Sequence, residues 1–198
     1  MSTTDLTLTA ITGGIGSGKS VVSRILRVLG YPVYDCDSRA KALMDADVII
    51  KQQIIDAVDR ETIAADGTID RRRLASIVFA DAEKLAALNA IVHSAVRLDI
   101  QRWAEDCGNS HAFVETAILF QSGLNETVTD EWRVSAPAEI RIERVMKRNS
   151  IARAEVEARM AAQAFSPSPE MRIPPLHEII NDGCHAVLPQ IQTLLKQY

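Results

Sequence analysis

The chain has 198 residues, 47% of them hydrophobic and 24% charged, with a formal net charge of −4. That length suits one sizeable core or a core with small appended lobes. The acidic balance argues against a general nucleic-acid binder, and no apolar run approaches a membrane span. Met1-Ser2-Thr3-Thr4-Asp5 lacks the basic and apolar regions of a signal peptide. Cys36, Cys107 and Cys184 are odd in number and widely spaced, as free thiols are. The expectation is a cytoplasmic protein that engages neither nucleic acid nor membrane; its oligomeric state is not readable.

Leu6 to Thr12 reads as a strand, with threonines set among Leu6, Leu8, Ala10 and Ile11. Gly13-Gly14-Ile15-Gly16-Ser17-Gly18-Lys19-Ser20 follows, matching the phosphate-loop pattern G-x-x-x-x-G-K-[ST]. Lys19 to Leu29 then reads as a helix with Val22, Ile25, Leu26 and Leu29 on one face. Glycines let the backbone turn tightly and bring N–H groups against oxygens. The helix N-terminus favours anions, Lys19 adds a charge for the β- and γ-phosphates, and Ser20 offers a hydroxyl to Mg²⁺.

Tyr31 to Tyr34 is a short strand ending at Asp35-Cys36-Asp37, and Ser38 is placed to cap a helix through Met44. A helical region covers roughly 47–106, broken by the turn signal Asp66-Gly67. So many helical residues between two strands predict an inserted lobe, over about 47–108. His111 to Glu115 resumes the sheet and Glu131 to Ala136 adds a strand. Ala138 to Arg148 and Ala152 to Phe165 read as two charged helices, taken as a lid over about 138–165. A proline-rich loop, the strand Glu178 to Ile180, a turn at Asn181-Asp182-Gly183 and an amphipathic helix complete the chain. Alternating strands and helices predict an α/β fold with a mostly parallel sheet. The core is expected over about 5–46, 109–137 and 176–198.

Three groups carry candidate chemistry. The first is the loop. The second is Asp35-Cys36-Asp37 at the carboxyl end of a strand, where open α/β sheets bind ligands. A carboxylate there can accept a proton from an attacking hydroxyl or hold Mg²⁺ through water; in extended chain, Asp35 and Asp37 share a side. A turn aspartate and a helix cap would show the same spacing. The third is Arg141, Arg144 and Arg148, on one helix face by spacing, suited to stabilising charge in phosphoryl transfer from a mobile lid. The same face could simply pair with Glu139 and Glu143 in solvent. Glu115 could serve as a second metal-binding acid, and His93 sits among apolar neighbours. No Asn-Lys-x-Asp guanine reader and no Leu-Ser-Gly-Gly-Gln signature occurs, which argues against a GTPase switch and a transporter ATPase.

These residues resemble the dephospho-coenzyme A kinase family nearly end to end. The carriers are Leu8 to Ser20, Asp35-Cys36-Asp37, Asp66 to Arg71 with Leu74 and Val78-Phe79, Leu88 to His93, Ala117-Ile118-Leu119-Phe120, Arg144, Arg148, Gln163 and Asn181. Val21 stands where the family usually has Thr, Ser94 where it has Pro, Gln121 where Glu is frequent, and His177 near a usual Ala-Asp. The resemblance implies a nucleotide-binding α/β core, a helical coenzyme-binding lobe and a lid. It implies transfer of the ATP γ-phosphoryl to the ribose 3′-hydroxyl of dephospho-coenzyme A, with Mg²⁺. Asp35, Lys19 and Arg148 would be catalytic, and Ser20 would face the metal. Gly14, Ile15, Gly16, Ser17, Gly18, Lys19, Ser20, Val21, Arg144 and Asn181 would bind the nucleotide. Asp37, Arg71, His93 and Leu119 would bind the acceptor.

Overall fold

The computed structural model describes residues 6–163 and 165–197. Its chain divides into two compact units, residues 1–34 with 107–198, and residues 35–106. Met1 to Asp5, Ala164 and Tyr198 lie outside the described residues.

The first unit is built on a sheet of order β2-β3-β1-β4-β5, with β1 Thr7–Thr12, β2 Val33–Asp35, β3 His111–Glu115, β4 Asp130–Ser135 and β5 Leu176–Ile180. β1 runs parallel to both β3 and β4, and β4 parallel to β5. Central parallel strands are covered on both faces and read as apolar runs; accordingly every residue of β1 from Leu8 to Thr12 is buried. Helix α1 (Lys19–Val28) lays Val22 and Leu26 on one sheet face beside Ile11, Phe113, Trp132, Val134 and Ile179, with Ile191 of the last helix. Each such buried aliphatic side chain contributes roughly 1.5–3 kcal/mol. His111 packs edge-on against Tyr31 and Trp132 and tilted against Phe113, and its Nε2 lies 2.9 Å from Thr9 Oγ1. Burial pushes its pKa down to about 4.

The second unit is helical. It holds α2 Cys36–Ala46, α3 Val48–Ala57, α4 Arg71–Val78 and the long α5 Ala82–Asp106. Its core is Ile50, Ile54, Val58, Ile69, Leu74 and Val78, with Leu85, Leu88 and Ile91 of α5 against it. The sequence reading placed α2 with the sheet. In the structure α2 belongs to the helical unit, because it packs along α3 and α5.

Helix α6 (Ala138–Asn149) and α7 (Arg153–Ala162) belong to the first unit and share a small core of Ile142, Val145 and Val156. The expected second helix, to Phe165, stops at Ala162, with Gln163 as its cap and prolines at 167 and 169 ahead. β5 begins two residues earlier than the apolar run suggested, at Leu176, and α8 covers Val187–Leu195. β5 is an edge strand, and the Gln190 side chain bonds both the N–H of Ile180, at 2.8 Å, and its carbonyl, at 2.9 Å.

Candidate active site

Residues 13–18 link β1 to α1 through a loop whose shape is set by close neighbours. Gly13 (φ 140°) and Gly18 (φ 99°) sit in the region that favours glycine. A Cβ at Gly13 would collide with the Val134 carbonyl, and one at Gly18 with the Asn181 amide. Ser17 N–H closes a turn on the Gly14 carbonyl at 3.1 Å, and Lys19 Nζ donates to the Gly13 carbonyl at 2.8 Å.

Three distant segments hold the same loop. Arg141 Nε donates to the Ile15 carbonyl at 2.9 Å, and Arg144 Nη1 approaches the Gly16 and Ser17 carbonyls at 3.4 and 3.5 Å. Asn181 Nδ2 donates to the Ser17 carbonyl at 2.8 Å, and Gln163 Oε1 accepts from Ile15 N–H at 2.7 Å. In a trans peptide the C=O and N–H point in opposite directions. The donors on the carbonyls of Ile15 and Ser17 therefore turn the N–H groups of Gly16 and Gly18 away from Arg141 and Asn181. That is the polarity an anion needs. Partial burial lowers the Arg141 pKa, but a guanidinium stays charged at neutral pH. Asn181 is steadied by its neighbour: Asp182 accepts from the N–H groups of His185 and Cys184 and from the His185 ring, which holds its carboxyl below the usual range.

The arginine face expected from spacing is present, but its members part company. Arg141 and Arg144 reach the loop, whereas Arg148 is exposed and its Nε donates to Asn149 Oδ1 at 3.0 Å. Glu139 pairs with Arg153 of α7 instead of with that face. Ser20 and Val21 are exposed in the first turn of α1.

Asp35, not Ser38, caps α2. Its Oδ1 accepts from Ser38 N–H at 3.1 Å and its Oδ2 from the Ser38 hydroxyl at 2.8 Å. The helix therefore starts at Cys36, and Asp37 is an exposed first-turn residue instead of an extended-chain partner of Asp35. Two lone-pair directions per carboxylate oxygen leave Asp35 able to accept further bonds. Arg71 opens α4 and bonds Asp45 at 2.6 Å and the Lys41 carbonyl at 3.2 Å. His93 is half-buried on α5. Leu119 is buried and lines a cleft of about 310 Å³ beside Gly13 and Gly14.

Sequence reasoning missed the direct loop contact of Arg141. It also missed Glu131 and Arg133, two charges on a strand beside β1, whose alternation with Trp132 and Val134 was the available signal.

A family model described as dephospho-CoA kinase matches residues 7–173. The chain belongs to the dephospho-CoA kinase family. A dephospho-CoA kinase of Porphyromonas gingivalis is 38% identical over 186 residues, covering 94% of this chain and 91% of that one. One from Bacillus cereus is 34% identical over 193 residues, covering 95% of each. A solved Thermus thermophilus protein aligns over 97% of this chain and 95% of its own, with a TM-score of 0.77 and 33% identity. As a dephospho-CoA kinase family member the chain is an ATP-dependent phosphotransferase, with the phosphate-loop kinase fold. The family's reaction passes the ATP γ-phosphoryl to the ribose 3′-hydroxyl of dephospho-coenzyme A. Among the described residues no helix is long and apolar enough to cross a membrane.

Proposed function

We propose that the residues of this chain divide the family's reaction as follows. The loop N–H groups and Lys19 hold the ATP phosphates, and Lys19 strengthens its hold as charge builds on the transferring group. Arg144 and Asn181 fix the loop from outside and meet the nucleotide at its Ser17–Gly18 end. Asp35 accepts the proton of the attacking 3′-hydroxyl late in transfer. Arg148 adds lid charge to the transferring phosphoryl. Asp37, Arg71, His93 and Leu119 contact the acceptor, and the site works in the cytoplasm, where its family's biosynthetic role supports it.

Mg²⁺ fits the residues present. Mg²⁺ keeps several waters and takes most other ligands from phosphate oxygens, with one or two from protein. Ser20 supplies a hydroxyl at the start of α1, and Glu115 ends β3 on the next strand. Among the described residues no His/Cys/Asp/Glu cluster forms a dedicated cage, in keeping with that chemistry. When bound, the ion would neutralise charge on the β- and γ-phosphates.

The observation that carries this reading is the loop itself, with Lys19 on the Gly13 carbonyl and Arg144 and Asn181 on its other end. An ADP-release assay with a panel of acceptors tests it. Turnover on dephospho-coenzyme A is expected. Turnover on adenosine monophosphate alone would make the chain a nucleoside monophosphate kinase. ATP binding with no turnover on any acceptor would make it a regulatory module.

A further inference from the structure

The cleft beside the start of the phosphate loop contains a charged pair that the roles above do not use. Glu131 is 2% exposed, and its Oε1 accepts from the hydroxyl of Thr12, the residue before Gly13, at 2.6 Å. Arg133 grips the same carboxylate from two positions along β4: Nε reaches Oε1 at 3.1 Å and Nη2 reaches Oε2 at 3.3 Å. Residues two apart on a strand share a face, so Glu131 and Arg133 project together. Both line the cleft of about 310 Å³, whose other walls include Gly13, Gly14, Leu119 and Phe120 on one side and Gln163 and Phe165 on the other. The Phe120 and Phe165 rings stack across it, 6.2 Å between centroids and 15° between planes.

Burying a carboxylate on a strand costs several kcal/mol in desolvation, and an ion pair seldom returns more than an apolar pair of similar volume would. Stability is therefore a weak account of this pair. Its geometric effect is clearer. The carboxylate and the Thr12 bond fix the Arg133 guanidinium by one edge, through Nε and Nη2, and Nη1 takes no part in that fork. The side chain stays 46% exposed, in a cleft with apolar walls. A pre-oriented guanidinium in such surroundings suits a phosphate oxygen.

Position sets the charged pair apart from Arg144 and Asn181. Arg144 and Asn181 approach the loop at residues 16–18, the end from which α1 starts. The cleft has Gly13 and Gly14 in its lining, at the other end of the loop. Dephospho-coenzyme A carries a diphosphate between its adenosine and its pantetheine arm. We infer that Arg133, positioned by Glu131, binds a phosphate oxygen of that diphosphate and so sets affinity for the acceptor. This rests on the reading above that the acceptor is dephospho-coenzyme A.

Steady-state kinetics and calorimetric titration of dephospho-coenzyme A test it, on the full chain. R133Q should raise both the KM and the Kd for dephospho-coenzyme A about tenfold or more, the size of one lost charge-assisted hydrogen bond. The KM for ATP and kcat should stay within about twofold. R133K should recover part of the loss, and E131Q should show a smaller shift of the same sign. R133Q leaves Glu131 buried and unpaired, so the double variant E131Q/R133Q is measured beside it as a folded control with neither charge. Equal Kd for dephospho-coenzyme A in wild type, R133Q and the double variant would overturn the assignment. So would a fall in Tm with ATP KM, acceptor KM and kcat all worsening in step, the mark of a structural strut. Absence of wild-type turnover on dephospho-coenzyme A would instead sink the functional reading itself.

Discussion

The two units bury different chemistry. The sheet unit buries polar and charged groups as well as apolar ones, among them Thr9, Thr12, Ser17, His111, Asp130 and Glu131. Among the described residues of the helical unit, Thr62 is the polar side chain in that class, and the rest of its core is aliphatic. Its charged contacts lie outside, as in Arg39–Asp99 and Arg71–Asp45. Buried polar networks fix a single geometry, whereas exposed ion pairs contribute little and shift readily. The sheet unit is thus the more tightly specified of the two. The helical unit, with its charged contacts at the surface, can adjust that surface without disturbing its core.

The largest effects should come from one residue in each unit. Asp35→Asn keeps a good helix cap, so folding should be nearly unchanged. Binding of both substrates should survive while kcat falls by about 10²–10⁴, the usual worth of a general base. Lys19→Ala, in the sheet unit, should cut kcat at least about a hundredfold. If Asp35→Asn turns over normally and Asp37→Asn is dead, the pair is assigned backwards; if both are active, Glu115 is the next residue to test.

A smaller effect separates the arginines. Arg148 points to Asn149 while Arg144 already touches the loop. Arg148→Ala should therefore lower kcat more than it weakens ATP binding, by about tenfold, as expected of a group engaged only at the transition state. Equal losses in nucleotide titration and in turnover would make it a ground-state contact, and no loss would leave it a solvated residue.

The smallest effect concerns pH. Folded His111 has its pKa lowered to about 4 from 6.5. Between those values the unfolded chain holds a proton that the folded chain does not. Stability is therefore full above about 6.5 and declines as pH falls toward 4. His111→Gln should flatten the fall of Tm between pH 7 and pH 4.5 by a few degrees. A slope identical to wild type would show that burial of this ring does not govern acid sensitivity.

Local order was legible in the sequence where one segment decides it. Strand, glycine loop and helix at 7–28 are contiguous, and their composition permits little else. The cap at α2 was misread because Asp35, Asp37 and Ser38 are all good caps within four residues, and the end of β2 chooses among them. The arginine spacing on α6 gave a shared face, but which members touch the loop depends on how α6 meets residues more than a hundred positions away. Glu131 and Arg133 acquire meaning only once β4 is known to lie beside β1 and to bring them to Thr12.

The clasp of Gln190 on Ile180 bears on how molecules of this chain behave toward one another. An edge strand presents unpaired backbone groups that invite a second chain to add a strand. β2, at one edge, is three residues long and offers a poor template. β5, at the other, is longer and carries exposed Leu176 and Ile180, so it is the more adhesive border. There a single amide fills both the donor and the acceptor of the last residue, ending the row where another strand would continue. One side chain of the final helix thus closes the backbone pair of Ile180 at that border.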